Sequence, residues 1–271
     1  MPTVKVGDIS MYYQVHGQGE ALIFIPGLGA NGRTSWLWQL PAFKKHYSVI
    51  TFDPRSVGKT SRPKEPYGFR ALADDVVGLM DCLDIEKADV LGHSMGGLVA
   101  QELAIDYPDR VLKLVLVSSS LVGGPTIPTN PAVAEALCYA EGTTEIDFSR
   151  VDTRKTMKAV IGMSFNKRRY RIAMQLASRY LVKLEELDGM WDQLRAASVH
   201  NTFDRLHLIK ARTLVIAGAE DRIVPPHTSE VLAAEIPNAR LVIVEGGSHV
   251  FNVEMSSRFN REVLDFLARA G

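Results

Sequence analysis

Ser94, Asp221 and His249 are the residues of this chain whose types and settings could together cleave an acyl bond. Ser94 lies in Gly92-His93-Ser94-Met95-Gly96-Gly97, after a short apolar run and before a stretch of small and apolar residues with helical character. Glycine two before and two after a serine fits a sharp strand-to-helix turn, where larger neighbours would collide. At the start of a helix the hydroxyl would also stand beside backbone N–H groups that favour developing negative charge. A serine hydroxyl is a poor nucleophile until a base takes its proton, and that base is normally a histidine held by a carboxylate. Asp221 directly follows the apolar run Thr213 to Ala217, and His249 follows Leu241 to Val244. If these runs and the one before Ser94 are parallel strands of one sheet, all three residues emerge at the same edge. That demands more coincidence than a five-residue pattern, which recurs by accident. Glu220 is the rival acid, and His93 reads as a packing or hydrogen-bonding neighbour rather than a second base.

A second pattern competes. Gly27-Leu28-Gly29-Ala30-Asn31-Gly32 matches the dinucleotide fingerprint, follows a strand-like run, and is followed at distance by Asp53, where a ribose-binding acid would be expected. A hairpin before the first buried strand and Pro41 soon after the glycines count against it. The serine reading accounts for more of the chain. Asp53 and Arg55 read instead as a structural ion pair or loop clamp.

The elements that must position these residues alternate. Thr3 to Val6 and Ile9 to Val15 read as short strands joined by a Gly7-Asp8 turn. Ala21 to Ile25 and Tyr47 to Phe52 are continuous apolar runs, the mark of strands buried on both faces. Helical patterns run from about Trp36 to Lys45, broken by Pro41, and from Phe69 to Leu83. The strand and helix around Ser94 follow, with Pro108 ending that helix. Leu112 to Val117, Thr213 to Ala217 and Leu241 to Val244 are the later strands. A closing helix from Ser256 to Ala268 carries Phe259, Val263, Phe266 and Leu267 on one face. Such alternation predicts a mostly parallel sheet covered by helices on both sides.

One stretch breaks the alternation. Between Val122 and Leu206 the patterns are helical only: Pro131 to Ala140, Thr153 to Ser164, Lys167 to Leu181 and Glu185 to Ala197. This predicts a helical insertion at the edge where open α/β sheets place ligands. Basic residues recur in it from Arg150 through Arg154, Arg171 and Arg179 to Lys183, against the single acid Asp152. Glu185, Glu186, Asp188 and Asp192 answer them. The plain reading is complementary solvated faces within one bundle; the functional one is attraction of a carboxylate-bearing substrate. Trp36, Met157, Met163, Phe165, Met190, Trp191 and Val250 are the candidate lining of a substrate pocket, with methionine supplying an adaptable surface.

Bulk properties agree with this picture. The chain has 271 residues, 46% hydrophobic and 23% charged, with a formal net charge of zero. A balanced charge gives no global field for nucleic acid or an anionic membrane. No apolar run approaches the ~20 residues of a membrane span. Met1 to Ser10 lacks the apolar core of a signal peptide. Cys82 and Cys138 have no metal-ligand spacing and read as buried reduced thiols, which points to the cytoplasm.

The chain resembles the α/β-hydrolase superfamily, and within it the cofactor-free, capped group of esterases, enol-lactonases and C–C hydrolases. The resemblance covers essentially the whole core. It rests on Gly92-His93-Ser94-Met95-Gly96-Gly97, Gly218-x-x-Asp221-x-x-Val224-Pro225, Gly247-Ser248-His249 and Asp53-x-Arg55-x-x-Gly58-x-x-Ser61. It implies an α/β-hydrolase core of residues 1–121 and 207–271 with a helical cap of residues 122–206, and no cofactor or metal. It also implies an oxyanion hole built from the backbone N–H groups of Leu28 and Met95. Two positions depart from the family pattern. Pro26-Gly27 replaces the usual His-Gly, and Ser56 replaces a glycine after Arg55. The resulting expectation is a serine hydrolase acting on a small or medium carboxylic ester or lactone. C–C hydrolysis or perhydrolysis by the same residues is the first alternative. A ligand sensor with little turnover is the second.

Overall fold

In the computed structural model, residues 2–122, 131–136, 138, 146, 147, 149–181, 184–198 and 200–269 are described. Eight strands form one sheet: β1 (Thr3–Val6), β2 (Ile9–His16), β3 (Ala21–Ile25), β4 (Ser48–Phe52), β5 (Ala88–His93), β6 (Val111–Val117), β7 (Arg212–Gly218) and β8 (Ala239–Val244). Their order is β1-β2-β4-β3-β5-β6-β7-β8. The first two pairings, β1 with β2 and β2 with β4, are antiparallel; every pairing from β4 to β8 is parallel. Gly7, at positive φ in the first turn position, closes the opening hairpin as its sequence predicts.

The central strands read as unbroken apolar runs because both faces are covered. Alternate residues point to opposite faces. Ile23, Ile25, Val90, Leu114 and Leu116 therefore enter one core, with α3 (Arg70–Cys82), α4 (Met95–Asp106) and α9 (Pro226–Glu235) packed over them. Leu22, Phe24, Leu91, Val115 and Val117 enter the other, under α2 (Leu40–Phe43) and α11 (Ser256–Ala268). The four α11 residues predicted to share a face are all buried. Pro41 does not break a helix from Trp36 onward: a short α1 (Gly32–Ser35) precedes it, and α2 carries Pro41 in its first turn, where a missing N–H costs nothing. The helix α9 has no counterpart in the sequence reading. Cys82 is exposed and Cys138 half-buried, which corrects the expectation of two buried thiols; both are free.

Between β6 and β7 the described elements are helices: α5 (Pro131–Ala136), α6 (Thr153–Ser164), α7 (Arg168–Leu181) and α8 (Leu184–Ser198). Most of the predicted extension of α5 to Ala140 lies outside the described residues. The return of the insertion is pinned to the core by Thr202, whose N–H donates to the Val122 carbonyl and whose hydroxyl donates to Gln101 Oε1. A short helix, α10 (Phe251–Glu254), sits between β8 and α11.

Candidate active site

β3 leads sideways to β4, while β5 and every later strand lie on its other side. The crevice between the C-terminal ends of β3 and β5 is thus the sheet's switch point, where α/β folds place ligands. Ser94 stands there, between the end of β5 and the start of α4. Its backbone takes φ 54° and ψ −120°, a conformation a non-glycine residue adopts only when its surroundings enforce it. The enforcement is visible. Ser94 N–H donates to the Val117 carbonyl at 2.9 Å, and the Ser94 carbonyl accepts from Gly97 N–H at 2.9 Å. A Cβ on Gly92 would come within 2.2 Å of the Gly96 carbonyl oxygen, and one on Gly96 within 2.4 Å of the Ile25 and Pro26 oxygens. The two glycines are therefore required by close backbone approach.

Because β7 and β8 run parallel to β5, the loops after them arrive at the same edge. His249 Nε2 is 3.0 Å from Ser94 Oγ, and His249 Nδ1 is 2.8 Å from Asp221 Oδ2. A carboxylate only accepts, so Nδ1 carries the proton and Nε2 is left to accept from the serine hydroxyl. The second oxygen of Asp221 accepts the N–H groups of Ile223 at 2.8 Å and Val224 at 2.9 Å. Those bonds fix the carboxylate with one lobe toward the imidazole. Asp221 and His249 are both buried. Glu220, the rival acid, accepts instead from Asn166 Nδ2 at 2.9 Å. His93 is no second base: burial first, and then the neighbouring His249, push its imidazole down to about 4.

The loop after β3 lies against this serine. A Cβ on Gly27 would stand 3.5 Å from Ser94 Cβ. Pro26 has no N–H, Gly29 N–H donates to Gln193 Oε1, and Ala30 N–H donates to the Gly27 carbonyl. Leu28 N–H has no such partner among the described residues. Met95 opens α4, so its N–H has no helical carbonyl to reach. Met95, next to Ser94, and Leu28, next to Gly27, thus carry N–H groups with no partner among the described residues.

The candidate lining residues divide. Met157, Met190 and Trp191 gather with Leu28, Val151 and Leu194 in one apolar cluster. Phe165 stacks on Tyr170, and Val250 N–H reaches the Ser164 carbonyl at 3.4 Å, with Met163 half-buried beside it. Trp36 is corrected: it is 0% exposed in the core behind the site, 4.8 Å from Phe24 and edge-on to His93. Trp38, 51% exposed, meets Tyr170 of α7 instead.

Asp53 and Arg55 do not pair with each other. Asp53 accepts the N–H groups of Gly32 at 3.0 Å and Lys59 at 2.9 Å, which ties two loops together. Burial raises its carboxyl against those bonds. Asp53 is buried beneath these two segments rather than presented to a ribose, and the glycine pattern is a turn at 27–31 leading into the short α1 rather than a dinucleotide fingerprint. Arg55 makes a bidentate pair with Asp75, both bonds 2.6 Å. The insertion's acids answer its bases only in part among the described residues: Lys155 meets Glu135 at 3.9 Å and Arg195 meets Asp192 at 3.6 Å, while Asp188 and Asp192 also pair with Arg62 of the core. Lys155, Lys158, Arg168 and Arg169 face outward. Lys183 and the side chains of Arg154, Arg179, Glu185 and Glu186 lie outside the described residues.

Sequence reasoning missed Glu254 and Gln193. Glu254 accepts from Ser248 Oγ, beside His249, and from the N–H groups of Asn166 at 3.2 Å and Lys167 at 2.6 Å. It fastens the start of α7 to the histidine loop. Nothing in its local sequence signals this. Among the described residues no group of three or more His, Cys, Asp or Glu stands ready to hold a metal ion, and no helix is long and apolar enough to cross a membrane.

The model of the alpha/beta hydrolase fold matches residues 20–255. This chain belongs to the α/β-hydrolase family. A relative in a Caulobacter species, named "Putative carbamate hydrolase RutD", is 31% identical, covering 95% of this chain and 96% of its own. A poly(3-hydroxyalkanoate) depolymerase of Ectopseudomonas oleovorans is 33% identical over 91% of this chain and 83% of its own. Among solved structures, the enol-lactonase of Burkholderia xenovorans LB400 superposes with TM-score 0.82 at 27% identity, covering 99% of this chain and all of its own (100%). The α/β-hydrolase here is thus an enzyme of the hydrolase class, with an eight-stranded, mostly parallel sheet.

Proposed function

We propose that this α/β-hydrolase cleaves a small or medium carboxylic ester or lactone through an acyl-enzyme on Ser94. The observation that carries the reading is the continuous hydrogen-bonded line from Asp221 Oδ2 through His249 to Ser94 Oγ, at 2.8 and 3.0 Å, on a strained turn. Ser94 Oγ attacks the carbonyl carbon while His249 Nε2 takes its proton. Asp221 stabilises the imidazolium. The amides of Leu28 and Met95 bind the oxyanion, a contribution worth ~10²–10³ in turnover per donor. His249 returns the proton to the departing alkoxide, then activates water to release the acid. The apolar cluster of Leu28, Met157, Met190 and Trp191 supports an uncharged acyl group. The outward basic face of α6 and α7 lends no support to a carboxylate-bearing one. Residues 122–206 act as the cap over this site. The free thiols fit a reducing compartment, and we read the protein as cytoplasmic.

A second reading keeps the same residues and replaces the ester with a carbamate, on the strength of the Caulobacter relative. C–C hydrolysis and perhydrolysis are further uses of the same triad. A fluorophosphonate probe should label the wild type and not Ser94→Ala; equal labelling removes the assignment. Product analysis over matched esters, lactones, carbamates and a vinylogous diketone then separates the bonds. Many turnovers per protein on any of them eliminate the ligand-sensor alternative.

A further inference from the structure

Gln193 is 0% exposed, on α8 of the helical insertion, and far in sequence from every residue of the triad. A buried primary amide needs partners for both ends. Its Oε1 accepts the N–H of Gly29 at 3.0 Å, and its Nε2 donates toward the Arg55 carbonyl at 3.4 Å. The two contacts fix which end of the amide is oxygen. Both reach core loops rather than other parts of the insertion.

Gly29 is one residue past Leu28, the proposed oxyanion donor. The loop is a turn closed by Ala30 N–H on the Gly27 carbonyl, with Gly29 at φ 63°, the type II pattern. Type II and type I turns differ by a flip of the central peptide, here the one joining Leu28 to Gly29. Gln193 holds the N–H of that peptide and so opposes the flip. The rest of α8 reinforces it. Met190 fills the space where a Cβ on Gly29 would stand, 2.9 Å from Met190 Cβ, and Leu28 packs into the Met190–Trp191 cluster. The far end of Gln193 rests on a loop made rigid by the Arg55–Asp75 pair, so the turn is referenced to α3 of the core.

We propose that Gln193 is a positioning residue: by bonding Gly29 N–H it anchors the turn that carries the Leu28 N–H in the preceding peptide, so that the cap helix α8 fixes where half of the oxyanion hole lies against the reacting carbonyl. This rests on the acyl-enzyme reading above. An oxyanion donor acts on the transition state, so a misaimed amide lowers kcat more than it raises KM.

The test uses the full-length enzyme with its best ester, in four forms: wild type, Ser94→Ala, Gln193→Met and Gln193→Glu. Methionine keeps the shape and removes both polar contacts, whereas glutamate keeps an acceptor for Gly29. Gln193→Met should lose kcat by roughly 10–10² fold, the range of an ångström-scale misplacement, with KM within about twofold. Its affinity for a boronate or trifluoromethyl ketone that mimics the tetrahedral state should fall by a similar factor, while affinity for the product acid holds. Gln193→Glu should recover part of the loss. Wild-type kcat in Gln193→Met, or equal weakening of analogue and product, overturns the proposal. Should Gln193→Met fail to fold, amide exchange in the wild type still decides. A protected Gly29 N–H supports the proposal, and one that exchanges like a free loop amide overturns it. Turnover surviving in Ser94→Ala overturns the acyl-enzyme reading and this inference with it. A dead Ser94→Ala beside an unimpaired Gln193→Met overturns this inference alone.

Discussion

His93 donates its Nε2–H to the backbone carbonyl of His249, 3.1 Å away. The residue before the proposed nucleophile thereby holds the loop that carries the proposed base, and the two rings stand 5.1 Å apart. Burial keeps His93 neutral, its pKa lowered to about 4, so it can hold the loop without adding a charge beside the imidazolium that the proposed mechanism forms on His249. His93→Phe keeps a ring and removes the donor. We expect roughly a 10-fold loss of kcat as the base loosens, and about 1–3 kcal/mol of stability for the orphaned carbonyl. Steady-state kinetics and urea unfolding measure the two.

The same group sets a pH dependence. Unfolded, His93 titrates near the ordinary imidazole value of 6.5; folded, burial keeps it neutral down to about 4. Between these values the unfolded chain binds more protons, so stability falls as pH drops through that window. Urea midpoints at pH 7 and pH 5 should separate less in His93→Phe than in the wild type.

Ser94 occupies φ 54° with a Cβ present. Glycine adopts that backbone freely. Ser94→Gly should therefore gain about 1 kcal/mol of stability while losing turnover. Ser94→Ala, which keeps the Cβ, should lose turnover without the gain. Thermal melts of the three proteins side by side decide it.

Asp221 accepts from His249 and from two backbone amides, whereas Glu220 meets Asn166 of the insertion. Asp221→Asn should lower kcat by about 10⁴, the magnitude found when a triad acid becomes an amide. Glu220→Gln should stay within a few-fold of wild type. The reverse pattern would move the acid by one position.

Arg55 and Asp75 are a buried ion pair, 7% and 4% exposed in their side chains. Removing one partner strands the other. Asp75→Ala should cost about 3–5 kcal/mol, while a combined Arg55→Met, Asp75→Leu replacement should cost far less. Asp8 lies 3.5 Å from the guanidinium but is exposed, and it cannot replace the lost carboxylate. Denaturant titrations of the three variants give the comparison.

Which features the chain announced and which it hid follows from the range of the forces involved. All eight strands are visible locally: the central ones, buried on both faces, are runs of apolar residues, and the first two are short runs joined by a glycine turn. The order Ser94, Asp221, His249 is visible because parallel strands must deliver their loops to one edge. The helices α6, α7 and α8 are visible by their periodicity. α9 was not, since its ten residues have no clear apolar stripe and its start at Pro225-Pro226 reads as a loop. What the chain could not declare is which buried polar groups find each other across long sequence separations. Trp36 reads from the sequence as core or pocket wall and is core, because only the packing of α2 and α11 decides which side of β3 is sealed. Asp53 and Arg55 are two residues apart yet serve different partners, each chosen by what the folded sheet brings within 3 Å. Gln193 carries no motif at all. Its two contacts lie 164 and 138 residues away, and a side-chain hydrogen bond becomes readable only once tertiary packing has excluded the water that would otherwise satisfy it.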